Sequence, residues 1–423
     1  MPGATGTLVD HFFRHEYGRL VAVLTRSLGL KRLDLVEDAV QSALTQAMQT
    51  WPRRGIPDDP AAWLFRVAKH AALDALRREQ TWDRIRDALR PGADYEPAER
   101  PPEDQVGDEL LRLLVACCHD ALPVESQVAL ALKAVCGFSV GEIARALLTT
   151  QANVQKRLTR AKEKLREVEF EPAALVPDQL ASRLDAVLTI LYLIFNEGYA
   201  ATSSDDLIRQ DLCQEAARLT LLLAEHTEAA AAQALFALMC FQAARFDARL
   251  SAGGDLVLLA DQDRSRWDRT LIEQGWSWLR VAARGDVLTR YHLEAALAAE
   301  HGLAPTFAAT NWQRIVGLYD QLLRLEPSPL HVLNRAIAIA YLHGPQAALA
   351  CMEPWTPRGG PKGYPYWPAT LGELHRRLGH FEQARHYLEQ ALELTQSLPE
   401  RHLLEQRLRW CAAGLAHVEA EPA

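Results

Sequence analysis

The sequence predicts an all-α protein: two small helical modules joined by a linker and followed by a longer α-solenoid. Three observations carry this. Apolar residues recur at three- and four-residue spacing along most of the 423 residues, the pattern of amphipathic helices. Ala and Leu are abundant while β-branched runs are scarce, which favours helix over strand. Pro-rich breaks fall at a few places only, and they divide the chain into segments of domain size.

The first module covers 8–82. In "LVDHFFRHEYGRLVAVLTRSLG", Leu8, Phe12, Tyr17, Leu20, Val21 and Leu24 share a helix face, and Gly29 ends the helix. "DLVEDAVQSALTQAMQTW" follows, with Asp34 expected as N-cap and Glu37 completing a capping box. "PRRGIPDDP" is a turn-rich loop. "AAWLFRVAKHAALDALRRE" is a third helix with a basic end at Arg77 and Arg78. Residues 83–108 carry Pro91, Pro97, Pro101 and Pro102 among many acidic residues, and read as a flexible acidic linker.

The second module, 109–170, holds four short helices: "ELLRLLVACCHDAL", "ESQVALALKAV", "SVGEIARAL" and "TQANVQKRLTRAKEKL". Ser139 can cap the third with Glu142 three residues on, and Thr150 can cap the fourth. Ile143, Ala144 and Leu147 face Val154, Leu158, Ala161 and Leu165 across a tight turn. This is the pattern of a helix-turn-helix whose second helix enters the major groove. Thr150, Gln151, Asn153, Gln155 and Lys156 lie at the start of that helix, towards base edges. Arg157, Arg160 and Lys162 follow, near phosphates or base edges.

Charge supports the division. Residues 1–170 hold 24 basic and 24 acidic residues, leaving 22 basic against 30 acidic for the remainder and a net charge of −8 for the whole. The first part can meet nucleic acid through concentrated basic helices, and the acidic remainder is unsuited to it.

From 178 to 417 the chain again reads as helix after helix. In "YWPATLGELHRRLGHFEQARHYLEQALELT", Gly372, Gly379, Ala384 and Ala391 match the small-residue positions of a tetratricopeptide repeat, where helices approach closely. "PSPLHVLNRAIAIAYLHGPQAALACME" is a looser copy.

Other classes are disfavoured. No stretch approaches the roughly eighteen apolar residues of a membrane span, and the N-terminus lacks a signal-peptide pattern. Seven Cys without a C-x-x-C suit a reduced, cytoplasmic protein. Cys117, Cys118 and His119 diverge around one helix, which is poor zinc geometry, so they are expected as buried or half-buried helix residues. No G-x-S-x-G, Walker A, H-E-x-x-H or Rossmann pattern occurs, so no catalysis, cofactor or metal is expected.

Three stretches in this order resemble a bacterial RNA polymerase sigma factor of the extracytoplasmic-function type, within the sigma-70 superfamily. "DLVEDAVQSALTQAMQTWP" resembles the region 2 helix that docks on the polymerase β′ coiled coil. "AAWLFRVAKHAALDALRRE" resembles the segment that melts and reads the minus-ten element. "ALPVESQVALALKAVCGFSVGEIARALLTTQANVQKRLTRAKEKLR" resembles region 4, which reads the minus-thirty-five element. The resemblance implies polymerase core as partner, through its β′ coiled coil and β flap, and promoter DNA. It makes Asp38 and Gln41 polymerase-facing. It carries minus-ten contacts onto Trp63, Lys69, Asp74, Arg77 and Arg78, with Leu64 beside them. His70 stands where the family often has Asn. "NEGY", "LLADQDRSRWD", "NWQRIVGLYDQLL" and "LNRAIAIA" resemble the group with a tetratricopeptide-like extension. In its most polar stretch, either Asp263 or Ser265 is expected to cap the helix that contains Trp267 and Leu271, or Asp263, Arg264, Arg266 and Trp267 are expected to form a docking surface, towards the sigma domains or a protein regulator. The alternative is a helix-turn-helix regulator with a tetratricopeptide sensor domain that does not act as a sigma subunit.

Overall fold

The computed structural model describes residues 3–86, 103–147, 149–167, 177–199, 210–251, 257–358, 364–395 and 398–420. Most of the expected linker, 87–102, lies outside the described residues. Among those described there are helices and connections and no β-strand. The first half contains α1 (Gly3–Leu28), α2 (Leu33–Arg54), α3 (Pro60–Arg86), α4 (Glu103–Cys117), α5 (Val124–Ala134), α6 (Val140–Ala146), α7 (Gln151–Glu167) and α8 (Pro177–Tyr199). There follow α9 (Gln210–Thr227), α10 (Ala230–Ala243), α11 (Arg269–Ala282), α12 (Arg290–Leu303), α13 (Trp312–Leu325), α14 (Pro329–Leu342), α15 (Pro345–Met352), α16 (Tyr366–Arg377), α17 (Phe381–Leu394) and α18 (Leu398–Ala420). The chain divides into two compact units, 1–194 and 195–423.

In the first unit, α1, α2 and α3 pack together, and α6 and α7 form the helix-turn-helix, packed on α5. Gly29 ends α1 at φ 85°, as its position suggested. The reading of Asp34 as N-cap is corrected. Helix α2 begins one residue earlier, Arg32 stands at the cap position without a side-chain bond, and Asp34 lies in the first turn. Its carboxylate is drawn elsewhere, by Lys162 and Arg166. The expected loop from Pro52 is also shorter. Helix α2 runs through Pro52, which forfeits one hydrogen bond in the last turn, and ends at Gly55 with φ 85°. Helix α3 is started by Asp59, whose carboxylate accepts from the Ala62 N–H at 2.9 Å.

The caps of the helix-turn-helix match the sequence reading. Ser139 and Glu142 form a reciprocal box: the Glu142 carboxylate accepts from Ser139 N–H at 2.7 Å, and Ser139 Oγ from Glu142 N–H at 3.2 Å. Thr150 Oγ1 accepts from Asn153 N–H at 3.2 Å. Val154, Leu158, Ala161 and Leu165 are all buried, as their spacing required. Cys117 and Cys118 are buried, and burial raises both thiol pKa values, that of Cys118 to about 12.

The two modules do not stand apart. Helix α1 packs along α4 and also touches α5. Gly18 is the reason the approach is possible: a Cβ there would sit 1.9 Å from the Val135 carbonyl oxygen. Glu109, 2% exposed, accepts from Arg26 at 2.6 Å and Arg112 at 2.8 Å, and Lys133 lies over the Tyr17 ring at 5.2 Å.

The second unit is a succession of helical hairpins. Helix α10 is buried nearly all round, packed among α9, α11 and α12, so it shows no amphipathic stripe. One apolar core links α12 to α16, and a smaller one joins α17 to α18. Gly372 lets α16 meet α17: its Cβ would fall 2.8 Å from Leu388 Cγ and 3.1 Å from the Ala384 carbonyl oxygen. Ala384 and Ala391 are fully buried, and Gly379 turns the chain at φ 77°.

Candidate nucleic-acid interface

Helix α7 presents one wet face and one dry face. Gln151, Asn153, Gln155, Lys156, Thr159 and Arg160 are exposed, Thr150 is exposed just before them, and Arg157 is half-buried. Asn153 also turns its amide back to Thr149 Oγ1 at 2.8 Å, so it must release that bond to read a base. Lys156 and Arg160, one turn apart, form the free cationic edge of this face.

Lys162 was expected on the DNA face. The structure instead turns it into the protein. Its ammonium donates to Asp34 and Glu37 of α2, at 2.7 Å each, and its side chain is 13% exposed. Arg166, one turn on, pairs with the same Asp34. Burial works to lower the Lys162 pKa, but Glu37 and the hydrogen bonds to both carboxylates outweigh it, and the net shift is upward. The carboxylates that seemed to cap α2 therefore clamp it to the end of α7.

On α3 the exposed stripe is Arg66, His70, Asp74, Arg77 and Arg78. Arg66 was missed by sequence reasoning; it shares the His70 face four residues away, and that spacing was the available signal. Asp74 pairs with Arg77 at 3.3 Å, and its carbonyl accepts from Arg78 Nε at 3.2 Å, so the basic end is ordered locally. Lys69 lies off the stripe, half-buried, with its ammonium 5.9 Å from the Phe65 ring centre. Trp63 is half-buried edge-on to Trp51, which in turn meets Phe13, so Trp63 supports the stripe from beneath. Leu64 is fully buried. Asp38 and Gln41 are exposed on α2 with Thr45 and Met48, a surface left open beside the clamp.

The polar stretch of the second unit is largely structural. Asp263 accepts from the Ser265 hydroxyl at 2.7 Å and from Ser265 N–H at 2.9 Å, which together hold its carboxyl below the usual range. Asp268, rather than Asp263 or Ser265, caps α11. Arg264 and Trp267 are 7% and 3% exposed, and Arg264 donates to the carbonyls of His301 and Ala304. Burial removes these two from any docking surface; Asp263 and Arg266 remain exposed. Among the described residues, no group of three or more His, Cys, Asp or Glu is placed to hold a metal ion, and no helix is long and apolar enough to cross a membrane.

A capped helix-turn-helix on α6 and α7 and a basic stripe on α3, both in the first unit, are features of a helical DNA-binding protein. Residues 12–81 match sigma-70 region 2 and residues 112–165 match sigma-70, region 4. Residues 183–283 match a family of unknown function (DUF6596). An uncharacterized protein of Rhizobium meliloti (strain 1021) is 39% identical over 404 residues, covering 92% of this chain and 93% of its own length. No solved structure matches. The chain belongs to the sigma-70 family of RNA polymerase sigma factors. It is thereby a transcription-initiation protein whose partners are RNA polymerase core and promoter DNA.

Proposed function

We propose that this sigma factor is of the extracytoplasmic-function type, carries a tetratricopeptide-like regulatory extension, and is held closed until its two DNA-reading modules separate. The observation that carries the reading is the clamp of Lys162 on Asp34 and Glu37, which joins the region 4 recognition helix to region 2. The minus-ten and minus-thirty-five elements lie about 25 base pairs apart, or roughly 85 Å of straight duplex at about 3.4 Å per pair. A compact unit of the size of 1–194 is only about 40 Å across. The packed modules therefore cannot occupy both elements, and opening must precede promoter engagement. In the proposed assignment, α2 offers Asp38 and Gln41 to the β′ coiled coil, region 4 meets the β flap, the α3 stripe reads the melted minus-ten strand, and α7 reads the minus-thirty-five duplex. The hairpin succession of the second unit, with small residues at Gly372, Ala384 and Ala391, supports the tetratricopeptide-like reading. Its role is to set the balance between closed and open states. The simpler regulator reading leaves the region 2 match unexplained.

The test is reconstituted transcription. Full-length protein added to core polymerase should give promoter-specific transcripts, and a chain ending at Ile194 should give a different strength at the same promoters. No binding to core removes the sigma reading. Identical transcription from both chains removes the regulatory one.

A further inference from the structure

The second unit contains a partly open cavity of about 810 Å³, within the size range of small-molecule sites. Helices α13 and α14 supply one part of its wall, and α16 and α18 another. The first part is aromatic. Trp312 and Tyr341 stack at 4.5 Å, with Phe307 edge-on to both at 5.1 and 4.9 Å. Ile337 and Leu403 add aliphatic surface.

One end of the cavity is cationic beyond what its own carboxylate balances. Glu373 accepts a two-pronged bond from Arg376 at 2.9 and 2.9 Å and a third from Arg377 at 2.9 Å. Arg407 reaches the same carboxylate only at 3.7 Å, too long for a hydrogen bond. Its side chain is 14% exposed, and among the described residues no acceptor takes a hydrogen bond from it. Arg376 and Arg377 stand nearby as like charges. Of the other carboxylates lining the cavity, Glu400 accepts from the Tyr366 hydroxyl and Asp261 is exposed. Three guanidiniums around one carboxylate leave two positive charges at this end of a largely apolar cavity, and a half-buried guanidinium with no hydrogen-bond acceptor among the described residues is a ready partner for an anion.

We propose that this cavity binds a small organic carboxylate with an apolar body: the carboxylate on Arg407, and the body against the Trp312–Tyr341–Phe307 wall. The volume, the aromatic surface and the arginine cluster together fit a small amphipathic anion. Binding at this site is independent of the promoter-reading function and is measured without polymerase.

The experiment is calorimetric titration of the full-length protein with 2-naphthoate and with octanoate, each beside its uncharged amide. The expected result is saturable one-to-one binding of at least one carboxylate, at least tenfold tighter than its amide; the pair that binds identifies an aromatic or an aliphatic body. Arg407→Gln should bring the carboxylate down to the level of the amide, and Thr370→Trp, which fills the cavity, should abolish both. Binding of neither carboxylate, equal affinity of acid and amide, or unchanged binding in Arg407→Gln overturns the proposal. The acid–amide comparison on the unaltered protein and the Thr370→Trp variant decide the matter should Arg407→Gln fail to fold.

Discussion

Gly18→Ala tests the closed arrangement most directly. The added Cβ would lie 1.9 Å from the Val135 carbonyl oxygen, where at least about 3.0 Å is needed, so α1 and α5 must part by over an ångström. Forcing packed backbones apart costs about 1–3 kcal/mol. Helix propensity does not add to this, because position 18 lies inside α1 in both states and the preference for Ala over Gly cancels. The clash alone favours opening by about 1–3 kcal/mol, which raises the open-to-closed ratio roughly 5- to 160-fold. Spin labels at Ser42→Cys on α2 and Thr159→Cys on α7, both exposed positions, report the separation in the full-length protein. Six of the seven native cysteines are buried, and Cys351 is replaced in the background. Unaltered Gly18 should give a single short distance; Gly18→Ala should give a longer, broader distribution and stronger transcription with core. An identical distance distribution in the two proteins would refute the reasoning, because no other arrangement accommodates that Cβ without movement.

Lys162→Met should lower stability by about 2–4 kcal/mol in urea unfolding, because it leaves Glu37 buried and unpaired; pairing it with Glu37→Gln should recover part of the loss. Since the Lys162 pKa is raised, the clamp's contribution is complete below the unfolded value of 10.5 and fades only as pH climbs through the higher folded value, so the closed distance should persist across neutral pH. Burial acts to raise the Glu373 pKa, but Arg376, Arg407 and Arg377 draw it down to about 2. Its contribution of about 2–3 kcal/mol is present above pH 4.5 and is lost as pH falls towards 2, so Glu373→Gln should flatten that part of an acid-denaturation curve. On minus-thirty-five duplex, Lys156→Ala and Arg160→Ala should each reduce the slope of log affinity against log salt by about 0.9, equally for all sequences, whereas Gln155→Ala should change the sequence preference instead.

The local rules of helix formation made much of this protein legible. Ser139, Glu142 and Thr150 cap the helices their spacing assigned to them, because a cap depends on residues three apart and on nothing distant. The buried stripe Val154, Leu158, Ala161 and Leu165 followed from helical period alone. What sequence reasoning misread were groups whose partners lie far along the chain. Asp34 and Glu37 look like a capping box; 128 and 125 residues later, Lys162 claims them. Arg264 and Trp267 look like a polar surface, but two carbonyls about 40 residues on take the guanidinium into the core.

The sequence by itself determined that the protein is helical, that region 2 precedes a region 4 helix-turn-helix, and that the acidic excess lies beyond residue 170. Periodicity, capping and net charge are local or additive, so they survive without coordinates. Only the tertiary structure decided which cations face solvent, that Gly18 lets the two modules close on each other, and that three arginines converge on one glutamate beside an aromatic wall. Those are contacts between distant residues, and their sign and strength depend on burial, which no stretch of sequence states.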